Sequence, residues 1–186
     1  MENKIINQII SSNEIKDYNV STSYEDVIFK DLILDTKEFN FCNFNRCVFE
    51  NCLFIGVAFK NCGLHKVSFN NSKLDGINIY DSNFDFCKVT SSSLKMANFY
   101  SLKWRNVIFE DVNFIESHFM DIKHHNIVFN NCNLDNTTWR LIKLNNLDFS
   151  SSYFDKINLE IQNIQGLKLN YNQALIIAMM LGITIK

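Results

Sequence analysis

Proline is missing from all 186 residues, and glycine occurs only five times. A domain built from many irregular loops draws on both residues at its turns, so that architecture is disfavoured from the outset. No apolar run approaches the length of a membrane span. The stretch from Met1 to Ser12 carries Glu2 and Lys4 among short isoleucine pairs, so a signal peptide with an apolar middle region is not expected, and the protein is expected to be cytoplasmic. Net charge is only −2, which makes no overall electrostatic case for nucleic acid or a membrane as partner. Tryptophan occurs twice, yet phenylalanine occurs 17 times. Such an excess of one residue type points to a repeat.

The repeat has a period of five. Stepping from Tyr24 through Phe29, Leu34, Phe39, Phe44, Phe49, Phe54, Phe59 and onward to Leu169 meets an apolar residue at every step except His124. Only Phe41 and Phe86 among the phenylalanines lie off this track. The position two before each centre is a second, smaller inward track, and it holds all six cysteines: Cys42, Cys47, Cys52, Cys62, Cys87 and Cys132. The remaining positions are mostly Asn, Asp, Lys, Ser and Glu. A helix turning about 100° per residue spirals such a stripe around itself, and a long strand loses phase after one unit. A three-residue strand with both ends facing inward, followed by a two-residue corner, satisfies the pattern. Four such sides close a square coil of 20 residues, and coils stack at strand spacing into a rod of about seven coils, roughly 34 Å long. The expected fold is therefore all-β, a right-handed four-sided parallel β-helix. Its core includes Phe44, Phe49, Phe54, Phe59, Trp104, Phe109, Phe114, Phe119, Phe129 and Trp139.

Units such as Cys42-Asn43-Phe44, Ala97-Asn98-Phe99 and Cys132-Asn133-Leu134 resemble the pentapeptide-repeat family, with the resemblance covering 24–169. Residues 1–23 are expected to form an N-terminal cap segment. Residues 170–186 are expected to form a C-terminal helix and tail, with 173–181 helical, Asn172 at the N-cap and Gly182 as the stop. Ala174 to Leu181 are all apolar, and a helix apolar all round is buried all round. A homodimer seam through Leu175, Ile176, Ile177, Met179, Met180 and Leu181 follows from that. The run Ile164-Gln165-Gly166-Leu167-Lys168-Leu169, with Tyr171, Gln173-Ala174 and Leu181-Gly182-Ile183, resembles the ending of the Qnr quinolone-resistance proteins, and Asn136-Thr137-Thr138-Trp139 resembles another of their segments. The resemblance to Qnr and MfpA-type proteins implies a tail-to-tail rod that binds type II DNA topoisomerase (gyrase or topoisomerase IV) and protects it from quinolones. Many Qnr proteins interrupt their coils with two loops. Here the phase never slips, so this chain resembles a loop-free rod. Immunity against a gyrase-targeting toxin, and a scaffolding rod with no topoisomerase partner, are the alternative functions.

No catalytic residues, cofactor or metal are expected, and the chain is read as non-enzymatic with no small-molecule substrate. The cysteines lack the short Cys-x-x-Cys spacing of zinc sites and are read as small core residues. His124 is read as a core histidine with one hydrogen bond, since adjacent His125 points the other way. No Ser-His-Asp, paired-carboxylate or phosphate-loop arrangement is present. Residues 20 apart stack, so surface columns are legible. The side centred on Phe44 collects Arg46, Lys66, Lys103, Arg105, Lys123 and Lys143 against Asp85 alone. It is read as a solvated face, and direct DNA binding is not expected. The column Tyr80, Tyr100, Met120 and Arg140, with Asp81 and Asp121 beside it, is rich in residues favoured at interfaces and is the candidate partner-binding strip.

Overall fold

The structure is a computed structural model that describes residues 3–11, 19–35 and 37–184. Most five-residue units make one short strand, as in Val48–Glu50, Leu53–Ile55 and Ala58–Lys60, and a sharp corner follows. The second corner residue, two after each centre, adopts a left-handed backbone: φ is 55° at Asp26, 48° at Asp81, 54° at Asn106 and 55° at Asn136. That conformation costs an L residue about 1–2 kcal/mol unless a short side-chain amide or carboxylate bonds locally or the residue is glycine. Asn and Asp fill about half of these corners, and the rest include Gly56, Gly76 and Gly166 as well as Ser, Phe41, Arg46 and Leu141. Asparagine thus does the work that the rare glycines cannot, and proline, locked at negative φ, has no place there.

Four units close one coil, and neighbouring coils pair in parallel with an offset of 20. On the side centred on Phe39 the register runs Phe39↔Phe59↔Ile79↔Phe99↔Phe119↔Trp139↔Leu159. The Phe44 side runs Tyr24↔Phe44↔Leu64↔Phe84↔Trp104↔His124. This is the expected four-sided β-helix. The N-terminal segment joins the ladder as well: Asn3–Ile6 pairs with Thr22–Glu25, and Ile9–Ile10 with Ile28–Phe29, at an offset of 19. The rest of the expected N-terminal cap, residues 1–2 and 12–18, lies outside the described residues.

Both inward tracks are buried along the rod. Central rings stack on their own side, as in Phe29–Phe49 at 4.3 Å and 5°, and Phe119–Trp139 at 4.0 Å and 15°. Across the interior they meet edge to face, as in Phe114–Phe119 at 5.5 Å and 62°. At many positions of the second track a small side chain sits against the carbonyl 23 residues back. Cys47, Cys52, Cys62, Cys87 and Cys132 direct their thiols at the carbonyls of Tyr24, Phe29, Phe39, Leu64 and Phe109. Serine can do more there: Ser72 and Ser82 accept from the inward amides of Cys52 and Cys62 at 3.0 and 2.9 Å.

One irregularity interrupts the ladder. Sides centred on Leu74, Leu94, Phe114 and Leu134 close as hydrogen-bonded β-turns, for example Ser117 N–H to Phe114 C=O at 2.9 Å. At Leu144 and Phe149 the same turn appears on two sides whose earlier coils are extended.

Replacing Phe119 by alanine should cost about 3–5 kcal/mol in urea-monitored unfolding, because the rigid stack cannot collapse into the void. Tyr100→Ala, on the outer face of the same side, should stay within about 0.5 kcal/mol.

Candidate functional site

The candidate strip is assembled as the stacking rule requires. Tyr80 pairs with Tyr100, Tyr100 with Met120, and Met120 with Arg140, so the four side chains form one column across four coils. Tyr100 is 43% exposed, Arg140 is exposed, and Tyr80 and Met120 are half-buried. Asp81 and Asp121 occupy left-handed corners beside the column, and Asp121 accepts a hydrogen bond from Ser101 Oγ at 2.9 Å. The strip is a flat, partly apolar stripe with acids along one edge.

The basic side divides into two parts. Near the N-terminus Arg46 is engaged: its guanidinium binds Asp26 at 2.6 Å and Glu25 at 2.8 Å. Further along, Arg105 grips Asp85 through Nε at 2.8 Å and Nη2 at 2.5 Å, with His65 Nδ1 3.3 Å from the same carboxylate. Lys103, Lys123 and Lys143 are exposed in one column and form no ion pair among the described residues. Lys66 is also exposed and outside any ion pair among the described residues, so three of the four unpaired cations of this side sit toward its C-terminal end and one nearer the middle.

All six thiols are buried and free. Burial pushes Cys87 up to about 12 and Cys132 up to about 11, so both stay protonated and unreactive at neutral pH. His124 departs from the expected interior position. It is half-buried, and its Nε2–H donates to the Lys143 carbonyl at 2.6 Å. The single hydrogen bond was legible from its isolation in an apolar track; its position at an opening between coils was not, because that opening depends on the turn below it.

The C-terminal helix α1 spans Tyr171–Met180, two residues earlier than the sequence suggests. Asn170, not Asn172, is the N-cap: its side chain accepts from Gln173 N–H at 3.0 Å, and Gln173 Oε1 accepts from Asn170 N–H at 2.9 Å. The Asn-x-x-Gln spacing is the signal of this reciprocal capping box, and composition alone hides it. Gln173 also caps the rod, donating from Nε2 to the carbonyls of Phe149 and Ser152 at 2.8 and 2.7 Å. Gly182 ends the helix as expected, at φ 79°, with Gly182 N–H on Met179 C=O and Ile183 N–H on Ala178 C=O. Of the apolar run, only Ile177 is fully buried against the last coil. Leu175 and Ile176 are half-buried, and Met179, Met180 and Leu181 are exposed.

A family model described as the pentapeptide repeat region matches residues 22–99, and the five-residue register continues unbroken beyond it. Residues 22–99 thus carry a likeness to the pentapeptide-repeat family, and the rest of the rod shares its five-residue register. A second model, described as the SV2A/B/C luminal domain, matches residues 89–159 of the same rod. No curated protein sequence matches. Among solved structures, a trypsin-treated form of QnrB1, a plasmid-mediated fluoroquinolone resistance protein, is similar at 21% identity and a TM-score of 0.51, covering 99% of this chain and 98% of that one. HetL, a pentapeptide-repeat protein involved in heterocyst differentiation regulation from the cyanobacterium Nostoc, covers 91% of this chain and 81% of its own at 10% identity and a TM-score of 0.47. At these identities the likeness is one of fold.

The paired acids on the surface make a pH prediction. Arg105, then His65, hold the Asp85 carboxyl below its usual range, and Arg46 does the same for Asp26. A depressed folded-state value stabilises above the unfolded carboxylate value of about 3.9 and is lost as pH falls through the folded one. Arg105→Gln should therefore lower the unfolding midpoint at pH 7 and leave it nearly unchanged near pH 2, as thermal melts across that range would show.

Proposed function

We propose that this pentapeptide-repeat rod is a non-enzymatic, cytoplasmic protein that binds type II DNA topoisomerase and protects it from quinolones. The observation that carries the reading is the end-to-end likeness of fold to QnrB1, which extends over nearly all of both chains. The Qnr-like tail supports it, since it forms a capped helix at the end of the rod. The strip Tyr80–Tyr100–Met120–Arg140 supplies a continuous surface of the composition that protein partners favour. Because the coils carry no inserted loop between Tyr24 and Leu159, contact in this reading is made by the rod's own faces.

The expected outcome in a gyrase cleavage assay with a fluoroquinolone is restored supercoiling as the protein is added. Neither rescue nor any effect on supercoiling at any concentration would sink the proposal. A Tyr100→Ala/Met120→Ala double variant should need at least roughly thirty-fold more protein for the same rescue, since truncating hot-spot side chains costs about 1 kcal/mol or more each.

In the same reading the chain is a homodimer joined through α1. Met179, Met180, Leu181 and Ile183 leave an apolar surface uncovered at the end of a single rod. Light scattering should report twice the chain mass for the intact protein, and a Met179→Glu/Met180→Glu variant should run as a folded monomer. A monomeric intact protein defeats the dimer.

A further inference from the structure

On the sides centred on Phe84 and Val89, earlier coils are zipped together by a ladder whose edges carry four main-chain bonds. Lys103 N–H meets Ser82 C=O, Phe86 N–H meets Arg105 C=O, Ile108 N–H meets Cys87 C=O, and Ser91 N–H meets Glu110 C=O, at 3.0–3.1 Å. Two coils later the corresponding donors are Lys143, Asn126, Asp148 and Asn131. Among the described residues, none of their amides bonds across to the facing coil. The Phe119 side stays paired through Trp139, and the Leu134 side bridges at Asn133↔Tyr153. The coils therefore part on two adjacent sides while remaining joined on the other two.

The cause is the change of turn. Leu147 N–H bonds back to Leu144 C=O at 3.2 Å, and Ser152 N–H to Phe149 C=O at 2.9 Å, where the coil above is extended over His118–Asn130. The same change occurs once earlier, between Phe54 and Leu74, but on one side only, and there Lys73 N–H still meets Cys52 C=O at 2.8 Å. Two consecutive changed sides open a mouth. Three side-chain bonds span it: His124 Nε2 to Lys143 C=O at 2.6 Å, and Ser151 Oγ and Ser152 Oγ to Phe129 C=O at 3.0 and 3.3 Å.

The result is a cleft of three adjoining recesses of about 350, 370 and 530 Å³. The first two share His124 and Asn145, and the last two share Ile127. One end is flanked by Lys123 and Lys143, with Lys103 completing their column. The acids on the rim already have partners: Asp121 accepts from Ser101, Asp148 from Ser150, and Glu110 pairs with Lys88 at 2.8 Å. At the other end Ile108 and Val128 lie side by side, 39% and 42% exposed.

We propose that this cleft receives an extended acidic segment of a partner protein, whose backbone lies along the mouth between the two lips. The lips offer amide donors at Asn126, Asn131, Lys143 and Asp148 and carbonyl acceptors at Ile122, Ile127 and Asn145. A peptide backbone answers both, whereas an oxyanion answers only the donors. The lysine column selects carboxylate side chains at one end, and the Ile108–Val128 pair accepts an apolar one at the other. This inference stands independently of which protein is the partner, and the topoisomerase reading can fail without it.

Amide hydrogen exchange on the full-length protein tests it, with a blocked hexapeptide of alternating Glu and Val as the probe. Without peptide, the amides of Asn126, Asn131, Lys143 and Asp148 should exchange at least ~10-fold faster than those of Phe86, Ser91, Lys103 and Ile108, because local opening sets the rate. The peptide should slow these four, and a Lys–Val counterpart should not. Lys123→Glu/Lys143→Glu should reverse that preference while leaving the melting temperature close to that of the parent. The proposal is overturned if the four amides are already as slow as their earlier counterparts. It also fails if the Glu–Val peptide gives no protection at millimolar concentration, or if inorganic phosphate or a short DNA duplex protects equally well.

Discussion

Every feature of this molecule depends on one backbone requirement: a left-handed residue at each corner, five residues apart, so that four short strands close a square and the next coil lands 20 residues on. Once that geometry repeats, the parallel ladder satisfies main-chain donors and acceptors on all four sides, and the interior is reduced to two tracks of side chains. Asn and Asp at the corners make the turn possible with almost no glycine. Phenylalanine on the central track fills the width of the square, and cysteine or serine on the other track fits under the carbonyl of the coil before. The unusual composition is the corner requirement seen from the side-chain end.

A perfectly regular rod presents the same surface in every direction and has no particular place to bind anything. The distinctive surfaces arise where regularity is broken. The tail stops the rod with Gln173, whose amide takes two carbonyls that a further coil would have taken, and it leaves Met179, Met180 and Leu181 facing outward. The change of turn at Leu144 and Phe149 breaks the ladder on two sides and exposes main-chain groups that every earlier coil hides. The strip of Tyr80, Tyr100, Met120 and Arg140 is different in kind. It keeps the ladder intact and differs only in which side chains the stacking brings together.

The fold was legible because a period of five has a single economical solution in three dimensions. The surface columns were legible for the same reason, since an unbroken phase makes position in the sequence equivalent to position on the rod. Spacing alone places Lys103, Lys123 and Lys143 in a row. The pairing of the other cations was not visible in this way: Arg46 and Arg105 lie on the same side as the lysines, yet each is held by carboxylates. Side-chain reach and rotamer decide that, and neither follows from spacing.

The sequence by itself determined the period, the inward tracks, the burial of all six thiols and the apolar helix that ends the chain, because each follows from which residues can be taken from water and at what interval. Only the tertiary structure decided which turn each corner adopts, since extended and hydrogen-bonded corners differ by a small local energy that stacking against the neighbouring coil settles. That choice placed the opening beside His124 and turned a histidine expected in the core into a clasp on the Lys143 carbonyl.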